Sequence, residues 1–295
     1  MLFKDWWKLF YETCCIDILS YDCCEEYSII NTKHFTCLQD LELMEIKPFH
    51  VRLCIKSASD YSSNRKRKVF FLLHRILEEA MINELVDRNI ANCVKPPKLI
   101  KKEVEVFSIA DVEMILNDVE NDKFALLIAI DLNCGLRRGE LMAFPKVNVN
   151  LEEYYLKVSQ TLVHFKDGFK IVETTKSRKD RIVPLNEFSR YLFMLYIIKY
   201  SDENSPFIFS GRESDKPMSF KTYHKYYRKY LEQKGISYLS PHKLRHTYAT
   251  YMLKSGGDID VVRRLLGHSS IATTQRYIHS GLDDMRKATD NLKFF

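Results

Sequence analysis

Four residues in the last quarter of this chain of 295 residues have types and spacing suited to attack on a phosphodiester. They are His242 and Arg245, three apart; His268, at the end of a Leu-Gly-His run that begins at Leu266; and Tyr277, nine residues further on. Phosphoryl transfer puts negative charge on the non-bridging oxygens in the transition state. Fixed guanidinium groups stabilise that charge with a bidentate geometry that lysine lacks. Arg245 is one such group, and Arg137, held in a tight turn after Gly135, is a second. Tyr277 supplies the hydroxyl. A phenol has a reference pKa of about 10, so only about one in a thousand is ionised at neutral pH. The nearby arginines and a general base would ease its ionisation, and His242 is the base expected. The leaving 5′ oxygen of a deoxyribose needs a proton, which Lys176 in the basic run TTKSRKDR (174–181) can supply. His268 would then donate a hydrogen bond to a phosphate oxygen.

Each residue alone has a plainer explanation. A tyrosine on a late helix is usually core. Arg137, three residues before Glu140, has the spacing of a helix ion pair, and Lys176 is one of several lysines expected at the surface. The combination outweighs the single readings. A metal site is the competing chemistry, because His242 and His246 stand at i and i+4 with His268 as a third ligand. However, the run His-Lys-Leu-Arg-His has no glutamate in the position of a metalloprotease base, and it places Arg245 beside the cation. No metal and no cofactor are therefore expected. His164, His224 and His279 are read as structural or exposed.

Several elements must position these groups. Residues 1 to about 98 read as all-helical, starting with Trp6, Trp7, Phe10, Tyr11 and Cys14 at three- and four-residue spacings. A break at Pro48 precedes a second apolar-periodic run, and residues 61–84 read as a longer helix. That helix carries Arg65, Lys66, Arg67 and Lys68 in its first turns. Such a cluster is either a solvated face or a set of phosphate contacts. The run Val94-Lys95-Pro96-Pro97-Lys98 reads as a stiff linker and places a domain boundary near residue 100. Beyond it, Ser108 and Asp111 signal a helix start, and a helix over 123–133 stops at Gly135. Residues 154–165 and 169–172 read as strands around the turn 166–168, with 181–184 as another. Together they predict a small antiparallel sheet with the run 174–181 as a basic hairpin between its last strands. Helices are expected over 188–199 and 220–234. Another should start with Ser240 as cap and Pro241 as first residue, and end at Gly256-Gly257. The last are expected over 260–266, stopping at Gly267, and after Ser269 or Ser270, with Tyr277 two to three turns along.

Composition sets the outer limits. The chain is 46% hydrophobic and 28% charged, carries 17 Tyr and 18 Phe, and has a formal net charge of +6. These values fit a globular protein of two domains with a basic bias compatible with nucleic acid. The longest apolar run, 124–130, is too short to span a bilayer, and the N-terminus lacks the pattern of a signal peptide, so a cytoplasmic, nucleoid-associated location is expected. Of eight cysteines, seven precede residue 94, and none forms a Cys-x-x-Cys pair. They read as small buried hydrophobes on helices.

The same residues carry a family resemblance. GLRRGEL (135–141) resembles the first-arginine box of the tyrosine recombinases, the phage-integrase family, and TTKSRKDRIVPL resembles their lysine hairpin. PHKLRHTYAT resembles the His-x-x-Arg box, and LGHSSIATTQRYIH resembles the segment leading to the tyrosine. The resemblance spans about residues 103–281 in the family's order. It implies Arg137, Lys176, His242, Arg245, His268 and Tyr277 as the catalytic set. It also implies a mainly α fold with a small antiparallel β-sheet: a helical core-binding domain (SAM-like) over 1–100 and an α+β catalytic domain over 101–295. The first hundred residues are similar to the core-binding domain in layout only. Gly139 stands where serine is common, a departure expected to be tolerated. With no further domain before the core-binding one, the expectation is a short integrase or Xer-like form.

The function implied is a site-specific DNA recombinase. Its partners would be double-stranded DNA, in a C-shaped clamp around the duplex, and three more copies of itself, as a homotetramer on two recombination sites. Accessory DNA-bending or directionality proteins would join them, and no membrane is involved. Integration or excision of a mobile element leads, with a chromosome- or plasmid-dimer resolvase and a type IB topoisomerase-like relaxing enzyme as alternatives. A binding-only relative would lack one of the six side chains, and none is missing. The apolar tail ending Leu292-Lys293-Phe294-Phe295 is expected to dock on a neighbouring protomer.

Overall fold

The computed structural model describes residues 1–100, 104–173 and 180–277, apart from the Arg276 side chain. The described residues divide into two compact units. One holds residues 1–100 together with His164–Phe169, and the other holds the remainder.

The first unit is helical: α1 (Phe3–Cys14), α2 (Tyr21–His34), α3 (Pro48–Lys56) and α4 (Ser63–Ile82), with 3-10 turns between and after them. Phe3, Trp6 and Phe10 bury one stripe of α1, and the Trp6 indole donates to the Ile76 carbonyl at 3.0 Å. Pro48 takes the first position of α3, where its missing N–H costs nothing. α4 is the core of this unit, burying Val69, Phe70, Leu72, Leu73, Ile76, Leu77 and Ala80. It starts two residues later than expected because Ser62 is its cap, accepting from the Arg65 amide. Cys15, Cys24, Cys54 and Cys134 are buried, as the sequence suggests. Cys37 and Cys93 are exposed, and Cys14 and Cys23 are intermediate.

The second unit is built around α6 (Lys123–Cys134), buried on every side from Ala125 to Leu132. A helix apolar all round belongs at the centre. α5 (Ile109–Leu116), α8 (Glu187–Tyr200), α9 (Phe220–Gln233) and α10 (His242–Lys254) all pack on it. The Asp122 carboxylate caps its start, accepting from the Phe124 and Ala125 amides at 2.6 and 3.0 Å. Gly135 ends it in the left-handed conformation at φ 56°. The Ser108–Asp111 capping box of α5 is present. α7 (Arg138–Met142) follows directly.

The strands depart from the expected single sheet. β1 (Val149–Asn150), β2 (Tyr155–Val158) and β5 (Arg181–Pro184) form a three-stranded antiparallel sheet in the order β1-β2-β5, with Leu156 opposite Val183. β3 (Gln160–Phe165) and β4 (Gly168–Glu173) pair separately. The expected strand over 154–165 thus turns a corner at Ser159. There Asn148 Nδ2 donates to Ser159 Oγ at 2.7 Å, and Gln160 Nε2 donates to the Ala143 carbonyl at 2.7 Å. Residues 174–179, with Lys176, lie outside the described residues.

α10 begins at His242, with Pro241 at the capping position expected of Ser240 and no side-chain capping bond there. α11 (Ile259–Leu266) is capped by Asp258 and ends at Gly267, φ 63°. Ser270 caps α12 (Ile271–Thr274), which is only four residues long and passes into a 3-10 turn at Gln275–Tyr277, shorter than the expected helix. The tail beyond Tyr277, including His279, lies outside the described residues. None of the described helices is long and apolar enough to cross a membrane.

Gly139 is a point of close approach. A Cβ built there would stand 2.5 Å from Thr161 Oγ1 and 2.6 Å from the Leu162 carbonyl oxygen. Serine at this position would push on the backbone of β3, which cannot yield as a side-chain tip can. Gly139→Ser is therefore expected to lower stability by about 1–3 kcal/mol, the usual cost of overpacking. Urea unfolding of the two proteins measures this, and equal midpoints would contradict it.

Candidate active site

The site forms where the C-terminal end of α11 meets the loop after α6. A helix leaves its last carbonyls without partners inside the helix, and they carry the negative end of its dipole. Here arginines satisfy three of them in succession. Arg181 Nε donates to the Leu265 carbonyl at 2.8 Å, Arg245 Nη2 donates to that of Leu266, and Arg137 Nη2 donates to that of Gly267 at 2.6 Å. Arg245 Nη1 also donates to the Gly135 carbonyl at 2.7 Å, at the left-handed end of α6.

Glu140 joins two of these cations. It is 3% exposed, and it accepts from Arg181 Nη1 and Nη2 at 2.8 and 2.6 Å and from Arg137 Nη1 at 2.8 Å. It also accepts from the Arg137 amide at 2.7 Å. Burial alone would raise its pKa, but hydrogen bonds and charge from Arg181, then Arg137, hold it at about 2.

Arg245 is different. It is 2% exposed, its two bonds go to backbone carbonyls, and among the described residues it makes no ion pair. Burial, then the neighbouring Arg137, lower its pKa to about 10, so it remains charged at neutral pH. A guanidinium has five donors, so two bonds leave donors over for an anion. A buried cation held only by carbonyl dipoles is a site for negative charge.

The histidines surround this point. His242 opens α10 at an exposed position, and its ring lies 4.5 Å from that of His246, edge-on at 75°. His268 follows the Gly267 cap, with Nδ1 3.0 Å from Thr274 Oγ1, and its ring stacks at 6.2 Å on that of Tyr277. Burial, then Arg245, Arg137 and Arg181, push His268 down to about 4. A neutral imidazole that accepts the Thr274 hydroxyl at Nδ1 carries its proton on Nε2, ready to be donated.

Tyr277 is 5% exposed and belongs to a small cluster with Ala249, Val262 and Leu266. Its hydroxyl lies 2.7 Å from His246 Nδ1. Sequence reasoning assigned the base to His242 and weighed His246 only as a metal ligand; the structure puts His246 at the phenol. Arg181 was also missed, as one of several cations in the basic run. Its signal was its place at the start of the strand Arg181-Ile182-Val183-Pro184, where a side chain is fixed rather than free. Five of the six expected residues, Arg137, His242, Arg245, His268 and Tyr277, lie on adjoining elements of this unit; Lys176 is outside the described residues. Among the described residues, no group of three or more His, Cys, Asp or Glu is placed to hold a metal ion.

Each unit also carries a group of basic residues on one helix, α9 in the second and α4 in the first. α9 buries Tyr223, Tyr227, Tyr230 and Leu231 on one side and turns Lys221, Lys225, Arg228 and Lys229 outward. The cluster on α4 is more engaged. Arg65 and Lys68 pair with Glu26 at 3.1 and 2.7 Å, and Arg67 donates to the Pro97 carbonyl at 2.8 Å and covers the Phe71 ring. Lys66 is half-buried.

Residues 105–282 match the model of the phage integrase family. The chain is 30% identical over 205 residues to tyrosine recombinase XerA of Pyrococcus horikoshii, covering 69% of this chain and 66% of that protein. It is 27% identical to a tyrosine recombinase of Pseudothermotoga lettingae, covering 84% of each. Its fold is similar to that of the Tn1549 transposon integrase solved with a circular intermediate DNA, at a TM-score of 0.80, 18% identity and 98% of both chains. It is also similar to a lambda integrase solved as a tetramer on a Holliday junction, at a TM-score of 0.69 and 15% identity, covering 90% of this chain and 77% of that one. The family model covers more than half of the chain, and the chain belongs to the phage integrase family and is a tyrosine recombinase.

Proposed function

We propose that this chain cleaves and rejoins duplex DNA at a specific site, for the integration and excision of a mobile element. The observation that carries the reading is Arg245: a fully buried guanidinium without an ion-pair partner among the described residues, within the same site as a buried tyrosine hydroxyl. An arriving phosphodiester supplies the missing anion. Arg137 and Arg245 bind its non-bridging oxygens, and the neutral His268 and His242 add hydrogen bonds. Tyr277 Oη attacks phosphorus, the bond from phosphorus to the 5′ oxygen breaks, and Lys176 protonates that oxygen. The products are a 3′-phosphotyrosyl bond and a 5′ hydroxyl. The phosphotyrosyl bond retains the energy for rejoining, so no ATP or metal enters.

The domain division proposed is 1–100 for a core-binding DNA domain and 101–295 for the catalytic domain. The outward basic face of α9 supports contact with duplex DNA in the second. The cluster Arg65, Lys66, Arg67 and Lys68 supports it less strongly in the first, because three of the four already have partners. Of the similar structures, a transposon integrase with circular intermediate DNA supports the mobile-element reading, and a lambda integrase tetramer on a Holliday junction supports a homotetramer acting through a junction. The XerA and XerC names of several relatives favour a second reading, a dimer resolvase. Recombination in cells separates the two: an integrase joins the ends of its element to a foreign target, whereas a resolvase recombines two copies of one chromosomal or plasmid site.

Three outcomes are expected. With nicked duplexes from the DNA flanking the gene, wild type forms a denaturation-resistant adduct in the presence of EDTA, and Tyr277→Phe forms none; an adduct in the variant would remove Tyr277 as nucleophile. Lys176→Ala slows cleavage by roughly 10²–10⁴-fold, the range for a lost general acid. A 5′-bridging sulfur in the substrate restores its rate, because a thiolate leaves without a proton; a defect that persists would clear Lys176 of the acid role. The third concerns acid stability. The folded pKa of Glu140, about 2, lies below its ordinary 4.5, so its contribution is complete above pH 4.5 and is lost as the pH falls through 2. That shift corresponds to on the order of 3 kcal/mol. Urea unfolding between these limits should show this component in wild type and lack it in Glu140→Gln.

A further inference from the structure

The hydroxyl of Tyr277 is 2.7 Å from Nδ1 of His246, and the two rings are 5.2 Å apart. His246 lies one turn along α10 from His242, whose ring meets it edge-on, and next in sequence to the buried Arg245. An Nδ1 that accepts a phenol hydrogen bond must be unprotonated. The surroundings keep the ring neutral: burial, then His242, Lys243 and Arg245 from α10 and His268 beyond α11, push His246 down to about 3, and the tautomer with its proton on Nε2 leaves Nδ1 as the acceptor. The ring is therefore empty of its second proton at any physiological pH.

We propose that His246 is the proton acceptor for the nucleophile, taking the phenol proton onto Nδ1 as Tyr277 Oη bonds to phosphorus. The inference rests on the recombinase reading above and adds the base. One proton leaves Oη for Nδ1, the new Oη–P bond replaces the bond from phosphorus to the 5′ oxygen, and Lys176 supplies that oxygen with a proton. Rejoining runs the same transfers backwards. The low basicity of His246 belongs to the empty site. A bound phosphodiester brings negative charge next to Arg245, which offsets the surrounding cations and raises the affinity of Nδ1 for a proton. The phenol meanwhile becomes more acidic as its oxygen bonds to phosphorus. His242 is then free to face the phosphate.

The test uses the full chain, nicked duplexes carrying its cleavage site, and three proteins matched for DNA affinity and thermal unfolding: wild type, His246→Asn and His246→Asp. The two variants are nearly identical in shape, and each can put an oxygen where Nδ1 stands, but only Asp can take a proton. With protein in excess over DNA, Asn should cleave about 100-fold or more slowly, and Asp should recover at least roughly tenfold of that loss. The Asn defect should persist on the 5′-sulfur substrate, which relieves a missing acid and not a missing base. Cleavage by Asn within about threefold of wild type would overturn the proposal. So would equal rates for Asn and Asp, or rescue of Asn by sulfur. Absence of any adduct with wild type would instead bring down the recombinase reading, and the proposal with it. If both variants fail to fold, the pH dependence of wild-type cleavage decides. With protein and DNA below the concentrations that saturate binding, the rate reports groups of the free protein, in which His246 is already unprotonated, so a profile flat from pH 5 to 8 on the 5′-sulfur substrate is expected. A rise through pH 6–7, the range of an ordinary histidine, would assign the base elsewhere.

Discussion

The site depends on three carbonyls at the end of one short helix. Leu265, Leu266 and Gly267 terminate α11, and their oxygens accept from Arg181, Arg245 and Arg137 in turn. The arrangement answers two problems together. Helix ends leave polar backbone groups that must find partners, and clustered guanidinium groups repel one another unless something negative lies between them. The end of α11 supplies dipoles, and Glu140 supplies a full charge to Arg137 and Arg181. Among the described residues, Arg245 makes no ion pair and hydrogen-bonds to backbone carbonyls. The gradation follows from which cation stands beside the carboxylate.

The remainder of the second unit holds those partners in register. Gly135 in the left-handed region turns the chain out of α6 so that its carbonyl meets Arg245, and the turn delivers Arg137 two residues later. A Cβ on Gly135 would come within 2.4 Å of the Tyr248 ring, so the turn also fixes how closely α10 approaches. β5 begins at Arg181, so the strand that leaves the basic run is anchored at its first residue to both Glu140 and α11. One buried helix, one glycine turn and one strand thereby place cations from widely separated parts of the sequence around a single point.

Much of this was legible from residue types. The helices with apolar periodicity were, because burial on one stripe writes a period into the sequence; Phe3, Trp6 and Phe10 are an example. The caps at Ser108, Gly135 and Gly267 were legible too, since few residues serve those positions. What was hidden depends on partners distant in sequence. The corner at Ser159 arises from Asn148 and Ala143, and nothing in 154–165 announces it. The tightness around Gly139 is set by β3, so a serine that looks harmless on paper meets backbone. His242 and His246 share a helix face, and spacing alone cannot say which of them a tyrosine thirty residues away will meet.

The element that carries Tyr277 has a consequence of its own. α12 has four residues, and Tyr277 sits in the single turn that follows. A segment this short has almost no helical cooperativity to preserve. Its contacts among the described residues include the buried Thr274 hydroxyl beside His268, the phenol beside His246, and the apolar cluster under Tyr277. Hydrogen bonds of this kind contribute about 1 kcal/mol each. The cation cradle is braced by several charge-assisted hydrogen bonds, whereas the tyrosine follows a helix of only four residues. In the reaction proposed above, the availability of Tyr277 scales with the fraction of time it spends in this seat. Small changes at the seat can alter that fraction by orders of magnitude and leave the cradle as it is.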